Sequence, residues 1–532
     1  MNISNNTPSR QRPSRCLFLL SFVIAILAPA LSAQTATVTI NASSVVRDIP
    51  AGLGGVCAAT PFWNTLTPDY RGDLVKARIG VVRIVGYPAD SAGGVGTLAD
   101  LDTKVAQIVN AGASPLFIQC IESNSNTTFK NALLRLDGTL YPADDPTPIN
   151  QRVATNITYL VNRYKAAPFN LSTQYWEIGN EPDLANVNYQ VATPQEYIDF
   201  FSLAHTQLTA SGVRGNVLLA GPVVSWEYGF GNYRDDIMNA FLPACKNQVD
   251  IVTRHVYGLI YSWEGFANTA YNQLNHTAEM VHFDHTIGTT RGEKALLTKM
   301  GTSGVPATVG TGITELNLFN DGVQIYNHTI VQGLWFLLAD HYTLYNPRSY
   351  VTNGFQFDRT NHSLAYYKAD NTRSFPYWAA YIHGVLTGDQ VLAQTSSDSH
   401  VVVTASKDDS YLYVRVLNRH DTTTYTANVT ITNAPPVTAP TLFKLTATDT
   451  SRHRHRHRLR HLVQPRSAAS DRLRLPLSAH RRTDSSDSSR LPCRRGAEHR
   501  LHHRSGRTAA LRQSQHPPHH QPRQLPALGH RR

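Results

Sequence analysis

Two glutamates, Glu181 and Glu315, each stand where an apolar run of the chain ends in polar residues. Glu181 closes the run Tyr-Trp-Glu-Ile-Gly-Asn-Glu, in which Gly179 lets the backbone turn, and Pro182 then stops a strand ladder. Glu315 lies in the run Ile-Thr-Glu-Leu-Asn. Barrel enzymes carry their catalytic groups at the carboxyl ends of strands. Two carboxyl groups, one protonated and one ionised, are what the cleavage of a glycosidic bond requires.

Four further side chains are candidates for substrate binding around this pair. Asn180 could hold a sugar hydroxyl, in a contact that strengthens in the transition state. Arg83, in the run Val-Val-Arg-Ile-Val, could keep one carboxylate ionised, and its alternative role is a structural ion pair. Tyr257 could donate a hydrogen bond to the second glutamate, or simply fill a layer of a barrel. His255 fits a substrate contact and a hydrogen-bonded core histidine equally well.

Strand and helix patterns alternate around these residues between positions 50 and 390. Apolar strand runs recur at 52–57, 81–86, 115–121, 175–178, 217–222, 250–258, 308–317 and 350–357, with helix patterns at 98–109, 153–164, 193–208 and 323–340. Thr193, Pro194 and Glu196 form a helix-start signal of N-cap, N1 and N3 residues. The repetition predicts a parallel sheet, and its count, close to eight units, favours an α/β fold of the (β/α)8 TIM barrel type. The chain has no glycine-rich dinucleotide or phosphate motif, which weakens the case for an open sheet.

After residue 390 the pattern changes to short alternating strands. They lie at 400–406, 411–417, 423–431 and 441–447, with prolines between the last two. This spacing predicts an accessory antiparallel β-sandwich domain over residues 391–450, and we expect the alternating run at 34–49 to join it. The catalytic barrel then occupies residues 50–390. Because the strand pattern stops at 450, the β-domain is expected to be truncated.

Residues 451–532 differ in composition from the rest of the chain. They hold 20 Arg, no Lys and 4 acidic residues, a net charge of +16, whereas residues 1–450 hold 29 Lys plus Arg and 34 Asp plus Glu, a net charge of −5. The net charge of +11 therefore resides in this tail, and the body offers no reason to bind nucleic acid. Without aromatic residues or Ile, the low-complexity tail is expected to be disordered. We interpret it as out-of-frame translation after a frameshift near codon 450. The alternative is a basic arm that binds nucleic acid, an acidic glycan or a metal.

The N-terminus has the pattern of a secretory signal peptide over residues 1–33. Arginines precede an apolar run at 16–27 that is short for a bilayer span, and small residues at 30–33 suit cleavage. A membrane anchor is the alternative. We expect a secreted protein, extracellular or periplasmic, without membrane contact after cleavage. The cysteine spacing matches no metal motif, and Cys57 and Cys120 are expected to be buried thiols.

The run Asn-Glu-Pro at 180–182, followed by Thr-Glu at 314–315, resembles the clan A glycoside hydrolases. These are retaining enzymes on a TIM barrel, with catalytic glutamates on strands four and seven. The resemblance implies that Glu181 is the acid/base and Glu315 the nucleophile, with Asn180 as the contact to the sugar 2-hydroxyl. Arg83 resembles the clan's arginine after strand two, and His255 and Tyr257 lie in a segment that resembles the strand supporting the nucleophile.

Within the clan, the run Trp-Glu-Ile-Gly-Asn-Glu-Pro-Asp and a β-domain built from both ends of the chain most resemble family 79, the β-glucuronidase and heparanase group. Families 39 and 51 are close competitors, and the resemblance covers roughly residues 50–450. It implies a retaining glycosidase that acts on an oligo- or polysaccharide and needs no metal or organic cofactor, and the signal-peptide pattern makes this a secreted enzyme in our expectation. No clear further carboxylate-binding motif fixes a uronic acid, so β-xylosides and α-arabinofuranosides stay open as substrates. The rival interpretation is an inactive barrel that binds glycans or serves a structural role.

Overall fold

The computed structural model describes most of the chain between residues 33 and 434, together with three short strands that follow. Not described within that range are residues 59–67, 89–95, 122–131, 184–190, 192, 226–234, 259–266, 268, 285–291, 319–325, 358–363, 369 and 371. Residues 1–32, and with them nearly all of the predicted signal peptide, lie outside the described part. Among the described helices, none combines the length and the apolar character that a membrane crossing needs.

Eight parallel strands close into a barrel in chain order. They are β2 (Gly52–Cys57), β3 (Val81–Val85), β4 (Ser114–Gln119), β5 (Gln174–Ile178), β6 (Val217–Val224), β7 (Ile251–Tyr257), β8 (Gly310–Asn317) and β9 (Ser349–Phe355). All five residues of β5 and all eight of β8 are buried, as expected for parallel strands that are covered on both faces. The predicted TIM barrel is confirmed.

Nine α-helices accompany these strands in the described residues. They are α1 (Pro68–Lys76), α2 (Leu98–Asn110), α3 (Ile149–Lys165), α4 (Pro194–Ala210), α5 (Asp235–Cys245), α6 (Ala270–Asn275), α7 (Gly292–Thr302), α8 (Ile330–Tyr345) and α9 (Phe375–Val385). Helix α4 begins as predicted, because the Thr193 hydroxyl accepts a hydrogen bond from the Glu196 N–H at 3.1 Å. The helix predicted at 323–340 begins later, at Ile330, and ends later, since buried residues continue to Leu344.

A second layer of structure is a curled six-stranded sheet of mainly antiparallel strands. It contains β1 (Gln34–Asp48), β10 (Gln390–Ser396), β11 (Val401–Lys407), β12 (Leu412–Asn418) and β13 (Tyr425–Thr432), in the order β12-β11-β10-β1-β13. Strand β1 pairs antiparallel with β10 and parallel with β13, and the long chain between β1 and β13 allows that parallel contact. Alternate β1 residues Ala36, Val38 and Ile40 are fully buried in a small apolar core of this sheet.

The basic tail contains more secondary structure than the sequence predicts. Strand β14 (Leu442–Lys444) pairs with β15 (Arg460–Leu462), and β16 (Arg472–Leu477) pairs antiparallel with β13 and extends the sheet. The expectation of disorder from residue 451 onward is therefore wrong for these two short segments. The reason lies in the sequence Arg-Leu-Arg-Leu-Pro-Leu of β16, where polar and apolar residues alternate at first, the period of a strand.

A buried ionic cluster joins the barrel to the sheet. The Asp340 carboxylate of α8 contacts the Arg415 guanidinium of β12 at 2.6 Å and the His383 ring of α9 at 2.6 Å. Burial alone would raise the pKa of Asp340, but the positive charges of His383 and Arg415 and their hydrogen bonds lower it far below its usual range. The carboxylate therefore stays ionised at the joint.

Candidate active site

An irregularity in β8 turns Glu315 into the barrel. Ile313 and Leu316 both face outward and pack in the apolar core between the barrel and the helices. They are three positions apart in the chain, whereas residues on the same face of a regular strand are two positions apart. The register shifts at this point: Arg254 lies opposite Ile313, but the next residue, His255, lies opposite Glu315. A bulge of this kind re-aims a side chain. Because of it, Glu315 and His255 face each other on the inner side of the barrel.

Arg83 lies at the centre of the site and is fully buried. Its Nη1 donates to Glu315 Oε1 at 2.7 Å and its Nη2 to Asn180 Oδ1 at 2.8 Å. Its Nε donates to Glu177 Oε2 at 2.7 Å. Burial by itself would lower the pKa of Arg83, but the negative charges of Glu177 and Glu315, together with Cys57, raise it well above its usual value. The guanidinium is a permanent cation that joins the carboxyl ends of β3, β5 and β8.

The second glutamate is surrounded by groups that favour its ionised form. In addition to Arg83, the Tyr257 hydroxyl donates to Glu315 Oε2 at 2.5 Å, and His255 Nδ1 lies 3.5 Å from the same oxygen. Burial would raise the pKa of Glu315, but the positive charges of His255 and Arg83 and the hydrogen bonds from Tyr257 and Arg83 lower it. Glu315 is thus a buried carboxylate held ready as an anion.

The first glutamate has a different environment. The Glu181 side chain is 20% exposed, twice the value of Glu315, and its Oε1 lies 2.8 Å from His255 Nδ1. Its backbone is left-handed, with a φ of +51°, and its N–H donates to the Val223 carbonyl at 2.9 Å. Such a backbone is costly for a residue with a side chain, and residues strained in this way cluster at functional sites. The strand end therefore presents Glu181 to the open side of the site.

His255 connects the two glutamates. Its ring is fully buried and its Nδ1 faces both carboxylates. Burial would lower the pKa of His255, and Arg83 acts in the same direction, but the charges of Glu315 and Glu181 outweigh both and raise it. His255 Nδ1 lies at hydrogen-bond distance from Glu181, so the ring is not an isolated core histidine.

The two carboxyl groups lie in one cleft at short range. Ligating atoms of Glu181, His255 and Glu315 all lie within 4.8 Å of one another. Among the described residues this is the only group of three or more His, Cys, Asp or Glu side chains with the spacing of a metal site. A cation would have to compete with Arg83, which contacts Glu315 at 2.7 Å, so the charges of the site suit an acid/base pair better than a metal ion.

The structure thus gathers all six predicted site residues around one cleft. Three further buried groups, which the sequence analysis did not assign to the site, lie on the strands and turns that form it. Glu177 is fully buried on β5 and binds Arg83. Asp183 accepts hydrogen bonds from the Ser225 N–H and hydroxyl, both at 2.8 Å, and burial raises its pKa to about 6. Cys57, a buried thiol as predicted, has its Sγ 3.7 Å from the Arg83 Nη1. The sequence does contain a signal for Glu177. Tyr175 lies inside the barrel, and residues two positions apart on a strand point to the same side, so Glu177 points inward as well.

No protein-family model and no curated protein sequence matches the chain. Among solved structures, the fold is similar to a Paenibacillus polymyxa xyloglucanase from glycoside hydrolase family 44, with a TM-score of 0.60 and 13% identity over 84% of this chain and 98% of that one. It is similar to AbfB, a family 51 α-L-arabinofuranosidase from Bifidobacterium longum, with a TM-score of 0.59 and 13% identity over the same shares. The fold is also similar to a monomeric β-xylosidase from Caulobacter crescentus, with a TM-score of 0.55 and 12% identity over 83% of this chain and 97% of that one.

These similarities extend over nearly the full length of each relative, so they include the second domain as well as the barrel. At 12–13% identity they establish a shared fold. The chain has the architecture of these clan A glycoside hydrolases: a closed barrel of eight parallel strands with an accessory sheet.

Proposed function

We propose that this chain is a retaining glycoside hydrolase that acts through Glu181 and Glu315. The observation that carries the proposal is the short distance, within 4.8 Å, between ligating oxygens of the two carboxylates. Retaining glycosidases hold their carboxyl groups about 5–5.5 Å apart, whereas inverting ones leave about 6.5–9.5 Å for a water molecule. An inactive glycan-binding barrel would not need both glutamates in one cleft. The fold shared with glycosidases supports the same conclusion.

In the first step, Glu315 attacks the anomeric carbon and the bond to the leaving oxygen breaks. The electron pair of that bond goes to the leaving oxygen, which takes a proton from Glu181. Glu315 suits this role because its pKa is lowered and Arg83 and Tyr257 fix both of its oxygens. Glu181 suits the acid role because it is the more exposed carboxyl, open to a leaving group, whereas Arg83 and Tyr257 occupy both oxygens of Glu315.

In the second step, water displaces Glu315 from the glycosyl-enzyme. Glu181, now ionised, takes a proton from the water as its oxygen attacks the anomeric carbon, and the Glu315 carboxylate leaves. Two inversions at that carbon give net retention. Asn180, fixed by Arg83 Nη2 at 2.8 Å, contributes a contact for the neighbouring sugar hydroxyl.

The substrate that we propose is an oligo- or polysaccharide outside the cell. The resemblance to family 79 favours a β-glucuronide. Two structural neighbours are an α-L-arabinofuranosidase and a β-xylosidase, which keeps those two glycosides as alternatives. The signal-peptide pattern at residues 1–33 supports secretion.

The test is a panel of 4-nitrophenyl glycosides: β-D-glucuronide, β-D-xyloside and α-L-arabinofuranoside. We expect turnover of at least one by the full chain, and its loss in Glu315→Ala. Asp199→Asn, an exposed carboxylate change on α4, is the matched control and should leave turnover unchanged. Proton NMR of the first-formed sugar should show the anomer of the substrate. Inversion, or wild-type turnover by Glu315→Ala, would overturn the proposal.

The role of Glu181 has a separate signature. In Glu181→Ala, cleavage of a poor leaving group should fall far more than cleavage of a 2,4-dinitrophenyl glycoside, which needs no proton. Added azide should restore turnover of the activated substrate and give a glycosyl azide, because the small anion replaces water without needing a base. Equal losses for both leaving groups would remove Glu181 from the acid/base role.

A further inference from the structure

Glu177 is a buried carboxylate beside the site that the proposed reaction does not use. It lies on β5, fully buried, four residues before Glu181. Its Oε2 accepts a hydrogen bond from Arg83 Nε at 2.7 Å, and within the described residues its Oε1 has no hydrogen-bond partner. A buried carboxylate with a single partner is costly to keep, so its presence in the inner layer of the barrel calls for a reason.

The geometry of Arg83 supplies the reason. A guanidinium is planar and carries its five N–H donors in fixed directions, so that one fixed N–H also sets the others. The Nε–H of Arg83 is held by Glu177, while Nη1 reaches Glu315 and Nη2 reaches Asn180. Without Glu177 the guanidinium plane could rotate about its long side chain. The contacts to the nucleophile and to the sugar-binding amide would then lose their alignment.

We propose that Glu177 is a positioning residue of the glycosidase, which aims Arg83 at Glu315 and Asn180 and moderates the positive charge that Arg83 exerts on the nucleophile. The inference rests on the proposed function and extends it to a residue that touches neither substrate nor reacting atoms. Arg83 is one cation shared between two carboxylates, at 2.7 Å from each. The other groups that face Glu315 are His255, Tyr257 and the carboxylate of Glu181.

The two parts of this role predict opposite changes in the pH profile. Glu177→Gln keeps an oxygen for the Arg83 Nε–H and removes the charge. Arg83 then acts on Glu315 alone and lowers its pKa further, so that the acid limb of kcat/KM should move to lower pH by about one unit. Glu177→Ala removes the acceptor. The Arg83 guanidinium is then no longer held in the orientation that contacts Glu315. The pKa of Glu315 should rise, and the acid limb should move to higher pH.

The two variants should also differ in rate. We expect kcat of Glu177→Ala to fall about 100-fold with KM changed less than about threefold, because misplaced catalytic groups lose rate more than binding. Glu177→Gln should lose less than about tenfold, which makes it the conservative rescue. Glu293→Gln is the matched control. Glu293 contacts the Arg254 guanidinium at 2.7 Å in another buried pair of the barrel, 2% exposed, and touches none of the proposed site residues.

The assay uses the full chain and whichever aryl glycoside the wild-type protein cleaves. If the acid limbs of both Glu177 variants coincide with those of the wild type and of Glu293→Gln, the inference is overturned and Glu177 is a structural residue. A shift of both variants in the same direction would overturn the aiming role. If Glu177→Ala fails to fold, an unmoved acid limb in Glu177→Gln overturns the inference by itself. If the wild-type chain cleaves no glycoside, the proposed function itself is refuted. That outcome is distinct from the failure of the Glu177 inference, which is tested on an active enzyme.

Discussion

Replacing Tyr257 by Phe removes one oxygen from the environment of Glu315, the proposed nucleophile, and leaves the aromatic ring in place. The lost contact is the 2.5 Å hydrogen bond from the Tyr257 hydroxyl to Glu315 Oε2. A hydrogen bond to a charged group contributes about 1.5–3 kcal/mol, and about 1.4 kcal/mol corresponds to one pH unit. We therefore expect the pKa of Glu315 in Tyr257→Phe to rise by about one to two units.

The direction of the pH effect follows from the role that we propose for Glu315. The nucleophile must be ionised to attack, so a higher pKa moves the acid limb of kcat/KM to higher pH. The assay is kcat/KM for an aryl glycoside between about pH 3 and about pH 8. Stability gives a second readout. Because folding lowers the pKa of Glu315, the group stabilises the fold above its unfolded pKa, and this contribution is lost as pH falls through the folded pKa. The decrease in Tm caused by Tyr257→Phe should therefore be larger at neutral than at acidic pH.

Tyr345→Phe is the matched control for this experiment. Its hydroxyl donates to the Leu392 carbonyl at 2.9 Å and accepts from the Ala405 N–H at 3.3 Å, away from both glutamates, so the variant also loses partly buried hydrogen bonds of a tyrosine hydroxyl. The acid limb of this control should coincide with that of the wild type. An acid limb of Tyr257→Phe that stays in place or moves to lower pH would refute the assignment of Glu315 as the group that must be ionised.

Three further changes test other parts of the molecule. Arg83→Lys keeps the charge but cannot make three diverging contacts, so kcat should fall at least about 100-fold in steady-state assays, and a loss below about threefold would contradict the central role of the guanidinium. Asp340→Asn removes the anion from the ionic cluster between barrel and sheet. It should lower the free energy of unfolding by about 3–5 kcal/mol in denaturant titrations at neutral pH. The loss should be smaller at acidic pH, because the pKa of Asp340 is lowered in the fold. Removal of residues 451–532 uncovers the edge of β13 and should therefore lower Tm. Glycosidase activity should persist, because every proposed site residue precedes residue 434. Full loss of activity with an unchanged Tm would contradict both expectations.

The sequence is sufficient to predict the barrel strands because each is a short apolar run whose burial depends on local composition. Predicted and observed bounds of β5 differ by one residue, and those of β8 by two at the start. Catalytic candidates followed from the same feature, since polar side chains directly after such runs lie at one end of a barrel. These positions required no knowledge of long-range contacts.

The inward direction of Glu315 could not be predicted from its strand. Simple alternation from Ile313 places Glu315 on the outer face, with the helices, and only the shifted pairing with β7 brings it inside. Pairing register between neighbouring strands depends on tertiary contacts and leaves no local signal. The same holds for the left-handed backbone of Glu181, whose N–H donates to the carbonyl of Val223, on the neighbouring strand.

Strand β10 shows a second kind of limit. It lies between β11 and β1, but its buried residues Val391 and Leu392 are adjacent rather than alternate, so the period of two that marks a strand is lost. In β16, by contrast, the alternation of Arg and Leu is visible, and composition alone was too coarse a criterion. Net charge predicts solubility and partners, whereas strand pairing depends on the spacing of a few apolar residues.

His255 lies beside both carboxyl groups whose charges change in the proposed double displacement. Its Nδ1 lies 2.8 Å from Glu181 and 3.5 Å from Glu315, and after the effect of burial the charge of Glu315 is the largest cause of its pKa shift, in the raising direction. In the glycosyl-enzyme that we propose, Glu315 is an ester and carries no charge. Glu181 is ionised in that state, because it has given its proton to the leaving oxygen, so the negative charge has moved from 3.5 Å to 2.8 Å from His255 Nδ1. His255 therefore has an anionic partner before and after the first step, and this partner raises its pKa against the opposing effect of Arg83, at 3.5 Å from Nε2. One buried ring thus faces whichever of the two glutamates carries the negative charge in the proposed cycle.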